Sequence, residues 1–219
     1  MYCFVQARMS SKRLPGKTMR MVNGKPLISY VLKRLKKSKL ISRIIVLTST
    51  NKPDDRIVNF CKKNKVLYFR SELKNVYKRF FKAINFYKNK SFVRITADSP
   101  NIDPDLVDRL ILKFKKKNYD IVTNCKDKTF PKGQSIEIVN SKSFLKLKSF
   151  LNRKNYLEHI TTFFYKNEKN FFIYCFKNKK KYRNKNLSVD NMSDLKRFKK
   201  FLSRHTSIPL NWKKIYNSY

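Results

Sequence analysis

An α/β fold with a largely parallel central sheet flanked by helices is predicted by three features of the chain. Short apolar runs rich in Val, Ile, Phe and Tyr alternate with longer segments of helical period, the pattern of strands joined by crossover helices. Hydrophobic residues make up 41% of 219 positions, enough for one sizeable core, and the loops are short, so a single domain over 1–219 is expected. The apolar runs also end on polar residues, Arg8, Ser49, Asp98 and Asp190, which should share the carboxyl rim of the sheet, where loops converge.

The first strand is "YCFVQ", Tyr2 to Gln6. After a basic loop, "PLISYVLKRLKKS" reads as a helix with Leu27, Val31, Leu32 and Leu35 on one face and Pro26 inside its first turn. Then "RIIVLTS" is a strand, "DDRIVNFCKKN" a helix, "VLYF" a strand, "NVYKRFFKAINFYK" a helix and "SFVRIT" a strand. "DPDLVDRLILKFKKK" starts at Asp103-Pro104 with an acidic first turn, where carboxylates meet the positive end of a helix dipole. "YDIVTN" follows as a strand. After Asn124 the order changes. "FPKGQSIEIV" reads as a turn and strand, "YLEHITTFFYKN" as a helix, "FFIYCF" as a strand and "NKKKYRNKN" as an exposed loop. "LSVD" closes the pattern as a short strand before the helix "NMSDLKRFKKFLSRH".

The formal net charge is +39, from 53 Lys and Arg against 14 Asp and Glu, and alone it would place nucleic acid or an acidic membrane first among partners. Its distribution argues otherwise. Lysines run from Lys12 to Lys214 on nearly every element, gathered in no tail and on no single face. Alanine occurs only at Ala7, Ala83 and Ala97 while Lys, Asn, Ile, Phe and Tyr abound, a skew that an AT-rich coding sequence produces by itself. The charge is read as background, and no nucleic-acid partner is expected. A polyanion-binding protein on a degenerate enzyme scaffold is the rival from another class.

Cys3, Cys61, Cys125 and Cys175 lie far apart with no CxxC pair, so neither a zinc site nor a redox motif is indicated. The amino terminus turns charged after seven residues, and no apolar run approaches the ~18 residues that span a bilayer. A cytoplasmic protein without a membrane partner is expected.

Chemistry concentrates in "QARMSSKRLPGK". Arg8, Lys12, Arg13 and Lys17 repel one another unless an anion compensates, which points to a polyphosphate. The stretch is neither a GxxxxGK loop nor a GxGxxG fingerprint. With Gly16 its only glycine, it would hold phosphates through side chains, Arg8 and Lys17 at its edges and Arg13 between them. A solvated basic loop is the plain alternative. Asp98 in "TADSP" and Asp190 in "VDNMSD" are isolated carboxylates expected at the same rim, an arrangement that suits Mg²⁺-assisted chemistry on a nucleoside triphosphate. Each has a structural rival, a turn cap for Asp98 and a helix N-cap for Asp190. His159 reads as a core or capping residue, or one orienting a substrate carboxylate; His205 reads as surface.

Taken together, "QARMSSKRLPGK", "GKPLISYVLKRLKKSKLISRIIVLTST", "YFRSELKNVYKRFFKA", "VRITADSPNIDPDLVD", "TFPKGQSIEI", "LEHITTFFY" and "SVDNMSDL" resemble the acylneuraminate cytidylyltransferase family. That family includes the 3-deoxy-manno-octulosonate cytidylyltransferases and a branch named for spore-coat polysaccharide synthesis, which this chain resembles most. The resemblance implies a Rossmann-like nucleotidyltransferase fold of the GT-A type, a homodimer, and transfer of CMP from CTP to a sugar acid with release of pyrophosphate. It implies Mg²⁺ as cofactor and a product destined for surface glycans. Arg8 and Lys17 match its triphosphate-binding positions and Lys25 a further basic one. Asp98 and Asp190 match its metal aspartates, so Arg8, Lys17 and Asp98 are the implied catalytic residues. Thr48 and Ser49 lie near its base-recognition segment. A nucleotidyltransferase using another triphosphate is the rival within the same chemistry. The chain departs from the branch at Ser10-Ser11-Lys12, Ala97, Asn75 and Gln134-Ser135; the phosphate loop should tolerate the first, while Asn75 and Gln134-Ser135 lie where sugar contacts are expected.

Overall fold

The computed structural model describes residues 1–150, 160–205 and 211–219. Its spine is β1 (Tyr2–Gln6), paired in parallel with β4 (Arg43–Ser49) on one side and β6 (Ser91–Thr96) on the other. β5 (Leu67–Ser71) runs parallel to β4 at one edge. Beyond β6 lies β8 (Glu137–Asn140), antiparallel to both β6 and β7 (Ile121–Thr123), and β9 (Ile173–Cys175) closes the far edge parallel to β7. The sheet order is β5-β4-β1-β6-β8-β7-β9. The mostly parallel sheet is thus observed, with β8 its one reversed strand among the described residues. No helix separates β7 from β8, and a connection without a crossover returns the chain antiparallel.

Helices cover both faces. α1 (Leu27–Leu35), α2 (Asp55–Lys63), α4 (Pro104–Lys115) and α8 (Trp212–Ser218) pack on Cys3, Val5, Val46 and Val93. α3 (Val76–Tyr87), α5 (Ser141–Lys146) and α6 (Thr162–Lys166) pack on Phe4, Ile45, Phe92 and Val139. Strand side chains therefore alternate between two cores, which is why the sequence shows continuous apolar runs where a half-exposed strand would alternate. Each fully buried Leu, Ile or Phe contributes roughly 1.5–3 kcal/mol. A third cluster joins Leu14, Val22 and Leu27 to Leu187, Val189 and three residues of α7 (Met192–Ser203), namely Leu195, Phe198 and Phe201.

Asp103 caps α4 as its sequence implied, its Oδ1 accepting from the amides of Asp105 and Leu106 at 2.9 and 3.0 Å. Its other oxygen accepts from the Trp212 amide at 2.8 Å and so anchors α8, an element the sequence pattern did not announce. Pro26 is not inside the first turn of α1. It is the extended N-cap, paired with Met21 in a small hairpin of β2 (Met21–Val22) and β3 (Lys25–Pro26). Asn23 and Gly24, both at positive φ, form the turn, as Asn-Gly hairpins favour. "LSVD" is not a strand. Leu187 donates to the Lys132 carbonyl and Val189 to that of Asp98, so its amides serve two separate loops and build no ladder. Of the helix expected over "YLEHITTFFYKN" the structure shows Thr162–Lys166; His159 lies outside the described residues. Among the described residues no helix is long and apolar enough to cross a membrane.

Candidate active site

The basic loop leaves β1 at the carboxyl rim and is fixed from beneath by Asp54. That buried carboxylate accepts from the Met9 amide at 2.7 Å and, through its other oxygen, from the Ser49 amide at 3.1 Å and the Ser49 hydroxyl. The loop then closes on Met9, whose carbonyl takes the amides of Ser11 and Gly16, while the Thr18 hydroxyl donates to the Arg8 carbonyl at 3.0 Å. Leu14, 2% exposed, inserts into the third apolar cluster beside Leu187 and Val189. Its neighbours Arg13 and Lys17 are thereby carried to the segment that ends in Asp190.

The two carboxylates meet there. Lys17 Nζ donates to Asp98 Oδ2 at 2.7 Å and to Asp190 Oδ1 at 3.0 Å, and Arg13 reaches the same Asp190 oxygen at 3.1 Å. Residues 98 and 190, far apart in sequence, are joined by the backbone bond from Val189 to the Asp98 carbonyl, 2.8 Å long. The other oxygen of Asp98 accepts from the Thr96 hydroxyl at 2.7 Å. Neither carboxylate plays the structural part its local sequence allowed. Asn191 is the N-cap of α7, in a capping box with Asp194, which frees Asp190. Asp98 is held by side chains and not by its own turn amides.

Burial opposes ionisation of Asp190, but the hydrogen bond and charge of Lys17, the charge of Arg13 and the Ser188 hydroxyl outweigh it and hold the carboxyl below its ordinary value of 3.8. A depressed folded-state value stabilises the fold above the unfolded-state value, and the contribution is lost as pH falls through the folded one. In metal-free buffer, the melting temperature of wild type relative to Asp190→Asn should therefore be constant near neutrality. It should decline once pH drops below about 4, as thermal melts across that range will record.

The structure thus gathers Arg13, Lys17, Asp98 and Asp190 at one rim. Arg8 is half-buried at the end of β1 on the side of Arg79. Burial pulls the Arg79 guanidinium down to about 10, with the like charge of Arg8 adding to this and Asp54 and Glu72 opposing it. Lys25 is exposed on β3 opposite Val22. Thr48 and Ser49 are fully buried, and the Ser49 hydroxyl is given to Asp54, so neither side chain is offered at the rim. Gln134, which the family resemblance places where sugar contacts are expected, is a buried staple. It accepts from the Asp103 amide at 2.9 Å and donates to the Asn101 carbonyl at 2.6 Å. Asn75 is the N-cap of α3, accepting from the Lys78 amide. His205 stacks on Phe201 at the end of α7. Asp54, the first residue of the run "DDRIVNFCKKN" that the sequence marks as a helix, was not among the candidate site residues.

A basic loop that closes on two carboxylates at the carboxyl rim of a mostly parallel sheet defines a nucleotidyltransferase-type architecture. The chain belongs to the cytidylyltransferase family, whose model matches residues 2–209. It is similar to a cytidylyltransferase from Leptospira borgpetersenii serovar Hardjo-bovis, with 30% identity and a TM-score of 0.90 over 94% of this chain and 88% of that one. It is 29% identical to the spore coat polysaccharide biosynthesis protein SpsF of Bacillus subtilis over 73% of this chain and 67% of the relative. It is also 31% identical to a 3-deoxy-manno-octulosonate cytidylyltransferase of Hydrogenovibrio crunogenus, over 54% of this chain and 48% of that protein.

Proposed function

We propose that the protein transfers the cytidylyl group of CTP to a hydroxyl of a sugar acid, releasing pyrophosphate, in the assembly of a surface polysaccharide. The observation that carries this reading is the convergence of Lys17 on Asp98 and Asp190. The acceptor oxygen forms a bond to the α-phosphorus, the bond from that phosphorus to the bridging oxygen of pyrophosphate breaks, and the hydroxyl proton passes to solvent. Little covalent chemistry falls to the protein in such a step; positioning and charge stabilisation dominate.

Two carboxylates side by side form a hard, oxygen-only donor set, which suits Mg²⁺ completed by substrate phosphates and water. Bound by Asp98 and Asp190, Mg²⁺ would supply positive charge against the phosphoryl oxygens. Lys17 has three N–H donors and commits two to the carboxylates, so a third serves a phosphate oxygen. Arg13, whose side chain is 67% exposed, can follow the departing pyrophosphate, and Arg8 flanks it from the end of β1. The decisive experiment measures pyrophosphate release with each of the four nucleoside triphosphates and a panel of octulosonic and nonulosonic acids in Mg²⁺. CTP is expected to exceed the other three by at least about tenfold. Equal rates with UTP would replace cytidylyl transfer by a less selective nucleotidyl transfer.

A further inference from the structure

One step below the rim, the sheet face covered by α3, α5 and α6 changes character. Phe4, Ile45, Phe92 and Val139 give way there to Gln6 on β1 and to Arg94, Glu137 and Thr123, which are in register across β6, β8 and β7. Arg94 forms an ion pair with Glu137. The Tyr165 hydroxyl of α6 bonds to the same carboxylate and lies 3.1 Å from that of Thr123. A buried ion pair is a weak stabiliser, because desolvation offsets the attraction, and here the Arg94 Nε is buried without a hydrogen bond among the described residues. What the pair does hold is Gln6.

Arg94 Nη2 donates to Gln6 Oε1 at 3.0 Å. With its oxygen fixed, the amide is oriented, and its NH₂ is a donor given no partner among the described residues. Gln6 pairs in register with Thr96, whose hydroxyl donates to Asp98. Two residues further along its own strand direction comes Arg8. A neutral, pre-aimed donor therefore sits below the carboxylate and the guanidinium assigned to the nucleotide. Lys17 and Arg13 answer the charge of the leaving group. The remaining task at this depth is to hold an oxygen of the phosphorus under attack.

We propose that Gln6 is a nucleotide-binding residue whose amide N–H, aimed by Arg94 and Glu137, donates to a non-bridging oxygen of the α-phosphoryl group. Arg94 and Glu137 are then positioning residues. The assignment rests on the cytidylyl-transfer reading above, and one set of calorimetric titrations separates the two. CTP and CMP are titrated in Mg²⁺ into wild type, Gln6→Glu, Gln6→Met and the double variant Arg94→Met/Glu137→Met. Gln6→Glu keeps an oxygen for Arg94 but sets a charge against the phosphoryl oxygen, and should weaken CTP roughly 30-fold or more. Gln6→Met, which removes the donor without adding charge, should weaken it about tenfold. The double variant leaves the donor but unlocks it and should lose several-fold, with Gln6→Met adding little on top. CMP keeps the α-phosphoryl group alone and should lose the same factor as CTP. Folded Gln6 variants that bind CTP within twofold of wild type overturn the proposal, as does a loss for CTP that CMP does not share. Wild type that binds no CTP overturns the cytidylyl reading and this proposal with it; normal wild-type affinity with unaffected variants overturns this proposal alone.

Discussion

Asp98→Asn is expected to lower turnover by at least about 10³-fold, with the melting temperature within a few degrees of wild type. The Asp98 carboxylate is partly exposed and accepts from Lys17 on one oxygen and Thr96 on the other. Asparagine can still accept from Thr96 with its single oxygen, but it turns an amide NH₂ toward the Lys17 ammonium, setting donor against donor. The fold loses little. The site loses one of two negative charges that hold a divalent cation and fix Lys17. Asp190→Asn should cost a similar factor, because both carboxylates act on one ammonium. For the same reason the double variant should be little worse than either single one, as for residues that act as a unit. Steady-state pyrophosphate release with CTP and thermal melts on the three variants check this. An Asp98→Asn enzyme within tenfold of wild type would remove Asp98 from the reaction.

Much of this site was legible in the sequence because its parts are short-range. The strand-ending positions of Asp98 and the basic loop follow from where apolar runs stop, and the carboxyl-rim rule brings them together. What was not legible depends on contacts between distant segments. "LSVD" has the alternation of a strand, with Leu187 and Val189 buried, yet its amides go to Lys132 and Asp98 on different loops. Periodicity reports burial on alternate sides and says nothing about whether a ladder partner exists. Gln134 and Asn75 carry polar side chains that local sequence cannot tell from ligand contacts; only the positions of Asn101, Asp103 and Lys78 reveal them as staple and cap. Asp54 is the same case in reverse. Its residues read only as part of a helical run, while its carboxylate anchors Met9, 45 residues earlier.

Gly133→Ala is expected to damage fold and activity together, and so to separate the positioning of Asp190 from its chemistry. Gly133 has φ of +90°, and a Cβ there would stand 2.6 Å from the Leu187 carbonyl carbon and the Ser188 nitrogen. These are backbone atoms and cannot rotate away. The strain and the overlap each cost about 1–3 kcal/mol, which for a chain of this size lowers the melting temperature by on the order of 10 °C. Relief requires residues 187 and 188 to retreat, breaking the bond from Leu187 to the Lys132 carbonyl, 2.9 Å in the native arrangement. Val189 and Asp190 follow on the same short segment. Asp190 is then drawn off Lys17 although every rim side chain is unchanged. Turnover should fall toward the level of Asp190→Asn, a variant that at neutral pH loses only the ion-pair contribution of one carboxylate and melts a few degrees at most below wild type. Calorimetric melts beside pyrophosphate-release rates distinguish the two. A Gly133→Ala protein that melts within about 2 °C of wild type and turns over normally would show that the 187–190 segment does not set the distance between the two carboxylates.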